Sequence, residues 1–269
     1  MQKINYIFFG TPDVASETLQ ILKQSGFLPS LIITSPDARS GRGLIMNPSP
    51  VAKFAEQNNI PCLKPEKLDT EITNQLKAKS YELAIVVAYG KILPEEILNI
   101  PKLGSINIHY SLLPKYRGAS PVESAILNGD TETGVTIQKM VYKMDAGDII
   151  AVEKTEIKDT ETAPELRKRL IKIGGDLLVK NLNEKWVEVK QDETLATFCK
   201  KIKKEDGLID LNADPKQNYN KFRAYAYWPR TFFFKDGKRT IITKARLENS
   251  QFVIEKVIPE GGKEVDYKN

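Results

Sequence analysis

The chain is poor in the side chains that most often advertise chemistry: it has one histidine, two cysteines and two tryptophans in 269 residues. Cys62 and Cys199 stand far apart and have no histidine at metal-ligand spacing, which argues against both a disulfide framework and a zinc site. No apolar run approaches the ~20 residues that a membrane-spanning helix needs. The N-terminal MQKINYIFFG lacks a secretory layout, so a cytoplasmic protein with no membrane partner is expected. No GxGxxG follows the first apolar run and GxxxxGK[ST] occurs nowhere, which disfavours dinucleotide and P-loop chemistry. Internal repeats and low-complexity segments are also missing.

What is present fits a globular protein: 41% apolar and 28% charged residues, in a length that allows one large domain or two modest ones. The net charge of +5 is unevenly placed. From Phe198 to Arg246 there are thirteen Lys and Arg against five Asp and Glu, a local excess of +8 that suits an anionic partner. Lysines solvated on an ordinary surface give the same composition, and from the count alone that reading is favoured.

The order of apolar runs describes an α/β domain. Ile4 to Phe9 is β-rich, Gly10 breaks it, and Thr11-Pro12-Asp13 opens a helix with Thr as the expected N-cap and Pro at the first helical position. A second apolar run, Leu28 to Thr34, completes a β-α-β opening. Between Thr34 and Pro50 the chain reads as a long loop rich in proline, glycine and arginine, the kind that is functional or disordered in compact domains. Leu83 to Ala88 is nearly unbroken in apolarity, as a strand buried on both faces should be. Leu103 to His109 and Gly134 to Met140 are further strands, with a tight loop at Tyr142 to Gly147. Ser120-Pro121-Val122-Glu123 has a capping-box layout, and Thr162 to Glu165 caps a long helix. Beyond a polar linker the character changes: Phe232 to Lys235, Thr240 to Lys244 and Phe252 to Val257 are short strands separated by Asp236-Gly237 and Asn249-Ser250 turns. The expected architecture is a Rossmann-like, mostly parallel sheet over residues 1–182, a linker over 183–205, and a small, abbreviated OB-like β domain over 206–269. A five-stranded barrel needs more chain than this tail supplies.

The stretch from Ser105 to Asp148 holds the lone histidine. His109 lies two residues after Asn107 at the end of an apolar run, the place where α/β sheets put their ligands. A single histidine is more often structural than catalytic, so the neighbours must decide. If the loop holding Asp145 meets that strand end, an amide donor, an imidazole and a carboxylate converge. Such a set serves transfer of a carbonyl carbon through a tetrahedral intermediate with a developing oxyanion. Ser111 is near in sequence but lacks a GxSxG elbow, which leaves direct attack by a substrate amine as the simpler route.

Asn107-Ile108-His109, Ser111-Leu112-Leu113-Pro114, Tyr116-Arg117-Gly118 and Asp145-Ala146-Gly147 occur in the order that marks the active site of the folate-dependent formyltransferases, which the chain resembles over essentially its whole length. FFGTPDVAS, the GRG loop leading to NPSPV, AYGKILPEEIL and FRAYAYWPRTFF extend the match toward the branch that formylates methionyl-tRNA. The resemblance implies 10-formyltetrahydrofolate as donor, no metal, and a monomer acting in translation initiation. It implies that Asn107 and His109 polarise the formyl group and that Asp145 positions His109 and manages proton transfer. It also implies that the folate lies against Ala88, Tyr89, Gly90, Ile92 and Leu93, against Ser111, Leu112, Leu113 and Pro114, and against Met144 and Asp145. Arg39, Arg42, Lys201 and Arg223 would contact the tRNA. Two other readings compete: an enzyme with the same donor and an amino-sugar nucleotide or glycinamide ribonucleotide as acceptor, and an RNA-binding protein without catalysis. The long GRG loop and basic tail speak against the first, the intact Asn107, His109 and Asp145 against the second.

Overall fold

The computed structural model describes residues 4–40 and 45–268. Its strands are β1 (Tyr6–Gly10), β2 (Leu31–Ile33), β3 (Ala38–Ser40), β4 (Ile45–Asn47), β5 (Cys62–Leu63), β6 (Leu83–Val87), β7 (Ser105–His109), β8 (Arg117–Gly118), β9 (Glu132–Lys139), β10 (Ile149–Glu156), β11 (Phe198–Cys199), β12 (Phe232–Lys235), β13 (Lys238–Glu248), β14 (Gln251–Pro259) and β15 (Val265–Asp266). Its helices are α1 (Asp13–Gln24), α2 (Pro50–Gln57), α3 (Thr70–Lys77), α4 (Glu95–Leu98), α5 (Pro121–Leu127), α6 (Ala163–Asn181) and α7 (Pro215–Ala224). The chain forms two compact units, one of Met1–His109, Val135–Glu153 and Leu170–Thr194, the other of Tyr110–Gly134, Lys154–Arg169 and Leu195–Asn269.

The first unit is built on a seven-stranded sheet of order β10-β9-β7-β6-β1-β2-β5. From β5 to β7 every pairing is parallel, and β9 joins β7 antiparallel. β1 and β6 are buried along their full length because helices cover both faces of a parallel sheet, which is why neither shows polar alternation. Ile7, Phe9, Ile33, Val86, Tyr89 and Leu93 belong to one apolar cluster beneath the loop that follows β6. Among the described residues no helix is long and apolar enough to cross a membrane.

Local expectations fail where a side chain finds a better partner than its own helix. Thr11 does not cap α1; the N-cap is Pro12, and the Thr11 hydroxyl donates to the Tyr89 carbonyl at 3.0 Å while Ser35 Oγ lies 3.1 Å away. The hydroxyl that looked like a helix start therefore ties the end of β1 to the loop after β6. Ser120 makes no side-chain cap bond, and Glu123 pairs with Arg167 of α6 instead of closing a capping box. The expected long loop between Thr34 and Pro50 contains an antiparallel ribbon in which Arg39 faces Met46.

In the second unit β12 to β15 form an antiparallel meander. Both anticipated turns are present. Asp236-Gly237 and Asn249-Ser250 have φ of 52, 74, 48 and 59°, left-handed at both central positions as two-residue hairpins require. β13 runs well past Lys244, carried through an irregularity at Ile242 to Ala245. Helix α7 was not anticipated, although its start is written in the sequence: Asp214 caps it by accepting from the Gln217 amide at 2.8 Å, and Pro215 takes the first position. Phe222 of α7 packs on the cluster of Ile209, Phe233, Ile242 and Val257, so part of the aromatic interleaving is core.

Candidate active site

Strand geometry brings the first polar groups together. Residues two apart on a strand share a face, and directly paired residues of neighbouring strands do too. Asn107 and His109 of β7 therefore share a face with their β9 partners Gln138 and Thr136. The Asn107 amide nitrogen donates to the Val86 carbonyl at 3.0 Å, which fixes the side chain against β6; an amide carries two hydrogens, so a second remains for a substrate oxygen. His109 is buried, at 5% exposure, as the last residue of its strand.

Asp145 arrives from the β9 to β10 loop. Lys139 donates to the Asp148 carbonyl at 2.8 Å, so the loop closes on the strand end. At Gly147 a Cβ would stand 1.8 Å from the Lys139 carbonyl oxygen, so no other residue fits without moving backbone. Asp145 itself has φ of 50°, a left-handed value that costs a non-glycine residue energy and that surrounding structure must hold. Asp145 Oδ2 lies 3.7 Å from His109 Nδ1, within ion-pair range but longer than a hydrogen bond. Oδ1 accepts from Gln138 Nε2 at 2.9 Å. Gln191 Nε2 donates to the carbonyls of Asp145 at 2.9 Å and Gly147 at 2.7 Å. With Nδ1 toward the carboxylate, Nε2 is the opposite edge of the ring.

The sequence-derived trio of Asn107, His109 and Asp145 is thus assembled within the first unit. Sequence reading missed Gln138 and Gln191. Gln138 could have been found from the strand alternation that puts it opposite Asn107; nothing local marks Gln191. Around the trio, Ala88 has φ of 46° and Gly90 82°, Ile92 is 73% and Met144 62% exposed, while Tyr89 and Leu93 are core. The loop after β6 therefore exposes Ala88, Gly90 and Ile92 and spends Tyr89 and Leu93 on packing.

Ser111 to Pro114 belong to the second unit. Ser111 is fully buried and its hydroxyl donates to the Lys115 carbonyl at 2.5 Å, an arrangement unlike that of a nucleophile. Leu112 and Pro114 line a cavity of about 600 Å³ together with Tyr116, Asp130, Lys154 and Leu195. Of the cations, Arg39 and Lys201 are exposed, and Arg42 lies outside the described residues. Arg223 is buried: its guanidinium donates to the Lys158 and Glu161 carbonyls, both at 3.1 Å, and to Asn220 Oδ1 at 2.7 Å, and it lies over the Tyr219 ring. Burial holds its pKa below the usual arginine value. A cation so engaged is a structural tie and not a surface contact for RNA. Among the described residues no cluster of His, Cys, Asp and Glu is placed to hold a metal ion.

An amide, an imidazole and an adjacent carboxylate at the end of a strand are groups able to polarise a carbonyl oxygen and to move protons beside it. A family profile described as formyl transferase matches residues 2–182 and one described as formyl transferase, C-terminal domain, matches residues 201–268. The chain belongs to the formyl transferase family. It is 41% identical over 258 residues to the methionyl-tRNA formyltransferase of Caldicellulosiruptor saccharolyticus, covering 93% of this chain and 83% of that protein. It is 40% identical over 243 residues to that of Geobacter sulfurreducens, covering 88% and 77%. In fold it resembles the methionyl-tRNA formyltransferase of Clostridium thermocellum, with a TM-score of 0.64 at 17% identity, covering 98% of this chain and 100% of that one. It also resembles the N-formyltransferase of Helicobacter canadensis solved with folinic acid and dTDP-3-aminofucose, with a TM-score of 0.72 at 20% identity, covering 99% and 100%.

Proposed function

We propose that the protein transfers the formyl group of 10-formyltetrahydrofolate to the α-amino group of methionyl-tRNA, as a monomer serving translation initiation in the cytoplasm. Formyl transfer follows from family membership; the acceptor is carried by identity near 40% to methionyl-tRNA formyltransferases over about nine tenths of the chain.

The residues supply what the reaction needs. The neutral methionyl amine attacks the formyl carbon, the bond from that carbon to N10 breaks, the amine loses a proton and N10 gains one. Charge builds on the formyl oxygen, and the Asn107 amide and His109 ring are the donors for it. Asp145, beside Nδ1, orients the ring and supports positive charge there while protons move. The exposed Ile92 and Met144 and the open backbone at Gly90 give an apolar surface suited to a flat heteroaromatic ring. On the tRNA side we assign Arg39, Arg42 and Lys201, and leave out the buried Arg223.

The test is a competition among methionyl-tRNA, uncharged tRNA and an amino-sugar nucleotide for one limiting pool of donor. Formyl-methionyl-tRNA is the expected product; formylation of the sugar in its place would overturn the acceptor assignment. Arg42→Ala is expected to raise KM for tRNA with folate use unchanged, and equal loss for both substrates would remove Arg42 from the RNA contact. Lys201→Ala should lower the salt dependence of tRNA binding by roughly one charge.

A further inference from the structure

Asp145 does not hold itself on His109. Its backbone is in a left-handed conformation, its loop is exposed at Tyr142 and Met144, and its Oδ2 lies 3.7 Å from the ring nitrogen. Two glutamines supply the constraint. We propose that Gln138 and Gln191 are positioning residues that hold the Asp145 carboxylate against His109, and that residues 186–193 form the strap by which Gln191 is delivered to the loop.

The hydrogen bonds assign the orientation of both amides. The Asp145 and Gly147 carbonyls can only accept, so the Gln191 nitrogen must face them. An ionised carboxylate also only accepts, so Gln138 turns its nitrogen to Asp145 Oδ1 and its oxygen toward Gln191 Nε2, 3.4 Å away. Gln191 thus uses its two hydrogens on the loop's carbonyls while Gln138 directs one of its own at the carboxylate, and the two amides meet at 3.4 Å. Gln138 is 2% exposed and sits on β9, so its amide is rigidly placed. The strap is fastened on either side of Gln191. Val189 and Ile149 exchange backbone hydrogen bonds at 2.8 and 2.9 Å, Lys139 lies 5.5 Å from the Trp186 ring and 3.5 Å from Glu188, and Lys143 pairs with Glu193 at 2.8 Å.

His109 is the only histidine, so its imidazole resonances can be titrated by NMR without assignment ambiguity. Three variants separate hydrogen bonding from packing: Gln191→Met and Gln138→Met, which fill the volume without a donor or a charge, and Gln191→Ala. In the Gln191 variants the carboxylate is released, and the midpoint of His109 is expected to fall by about one pH unit because an adjacent anion favours the charged ring. Formyl transfer should lose about 10- to 100-fold in kcat, with the folate Kd within about twofold. Gln138→Met should lower kcat to a similar extent with the folate Kd kept, since the carboxylate loses its own donor.

The inference concerns the geometry of Asp145 and rests on the formyl-transfer reading only for its kinetic arm. An unchanged His109 midpoint together with kcat within about twofold of wild type would overturn it. So would parallel loss of folate binding and thermal stability, which marks general structural support. A shifted midpoint in a protein whose wild type formylates no aminoacyl-tRNA would uphold the positioning role and sink the acceptor reading.

Discussion

The two halves of the candidate active site are held by different means. Asn107 and His109 ride on β7, whose backbone ladder to β6 and β9 fixes their face and height, and Asn107 adds its own bond to the Val86 carbonyl. Asp145 rides on a loop in a left-handed conformation and is held by side chains, with Gln138 on its carboxylate and Gln191 on its backbone. The loop after β6 is of the second kind: Ala88 and Gly90 have positive φ, and Thr11 reaches across to the Tyr89 carbonyl. A strand fixes position through many backbone bonds shared with neighbours, so no single side chain is indispensable to it. A loop depends on a few named contacts, and removing one moves the group it carries.

Predictions that break this comparison differ in size accordingly. The largest effect is expected from His109→Ala and Asn107→Ala, which delete the chemistry from an intact scaffold: kcat should fall on the order of 10³-fold with folate binding kept. Near-normal turnover in either variant would remove it from the reaction. Gly147→Ala should cost both activity and stability, because its Cβ would meet the Lys139 carbonyl at 1.8 Å and the loop must rebuild. A loss of about 100-fold in kcat and of about 2 kcal/mol in urea-induced unfolding is expected, and wild-type stability would show that the loop accommodates a side chain freely. Thr11→Val is the mildest, removing the hydroxyl's bonds to the Tyr89 carbonyl and to Ser35, each worth about 1 kcal/mol. Its effect should be read as a several-fold rise in the folate KM at constant kcat. A change in kcat alone would mean that the loop after β6 shapes the transition state and not the ligand's seat.

Much of this was legible in the sequence. The unbroken apolarity of Leu83 to Val87, the two-residue turns at Asp236 and Asn249, and the alternation that puts Asn107 and His109 on one face are local properties that folding only confirms. Thr11 and Ser120 were misread because a helix-start signature states only what a side chain can bond. Tertiary neighbours decide what it does bond, and here Tyr89 took Thr11 while Arg167 took Glu123. Arg223 was misread for the same reason: a cation in a basic segment looks like a surface charge until α7 buries it against backbone carbonyls.

The sequence by itself determined the central strands, the two-residue turns and the three candidate side chains, because hydrophobic period, turn residues and side-chain chemistry are carried by neighbouring positions. The tertiary structure alone decided that Asp145 reaches His109, and that Gln191, 46 positions away in the chain, holds the backbone which lets it do so. Hydrogen bonds between groups that distant leave no periodic trace, since their geometry exists only once both segments have folded onto the same strand end.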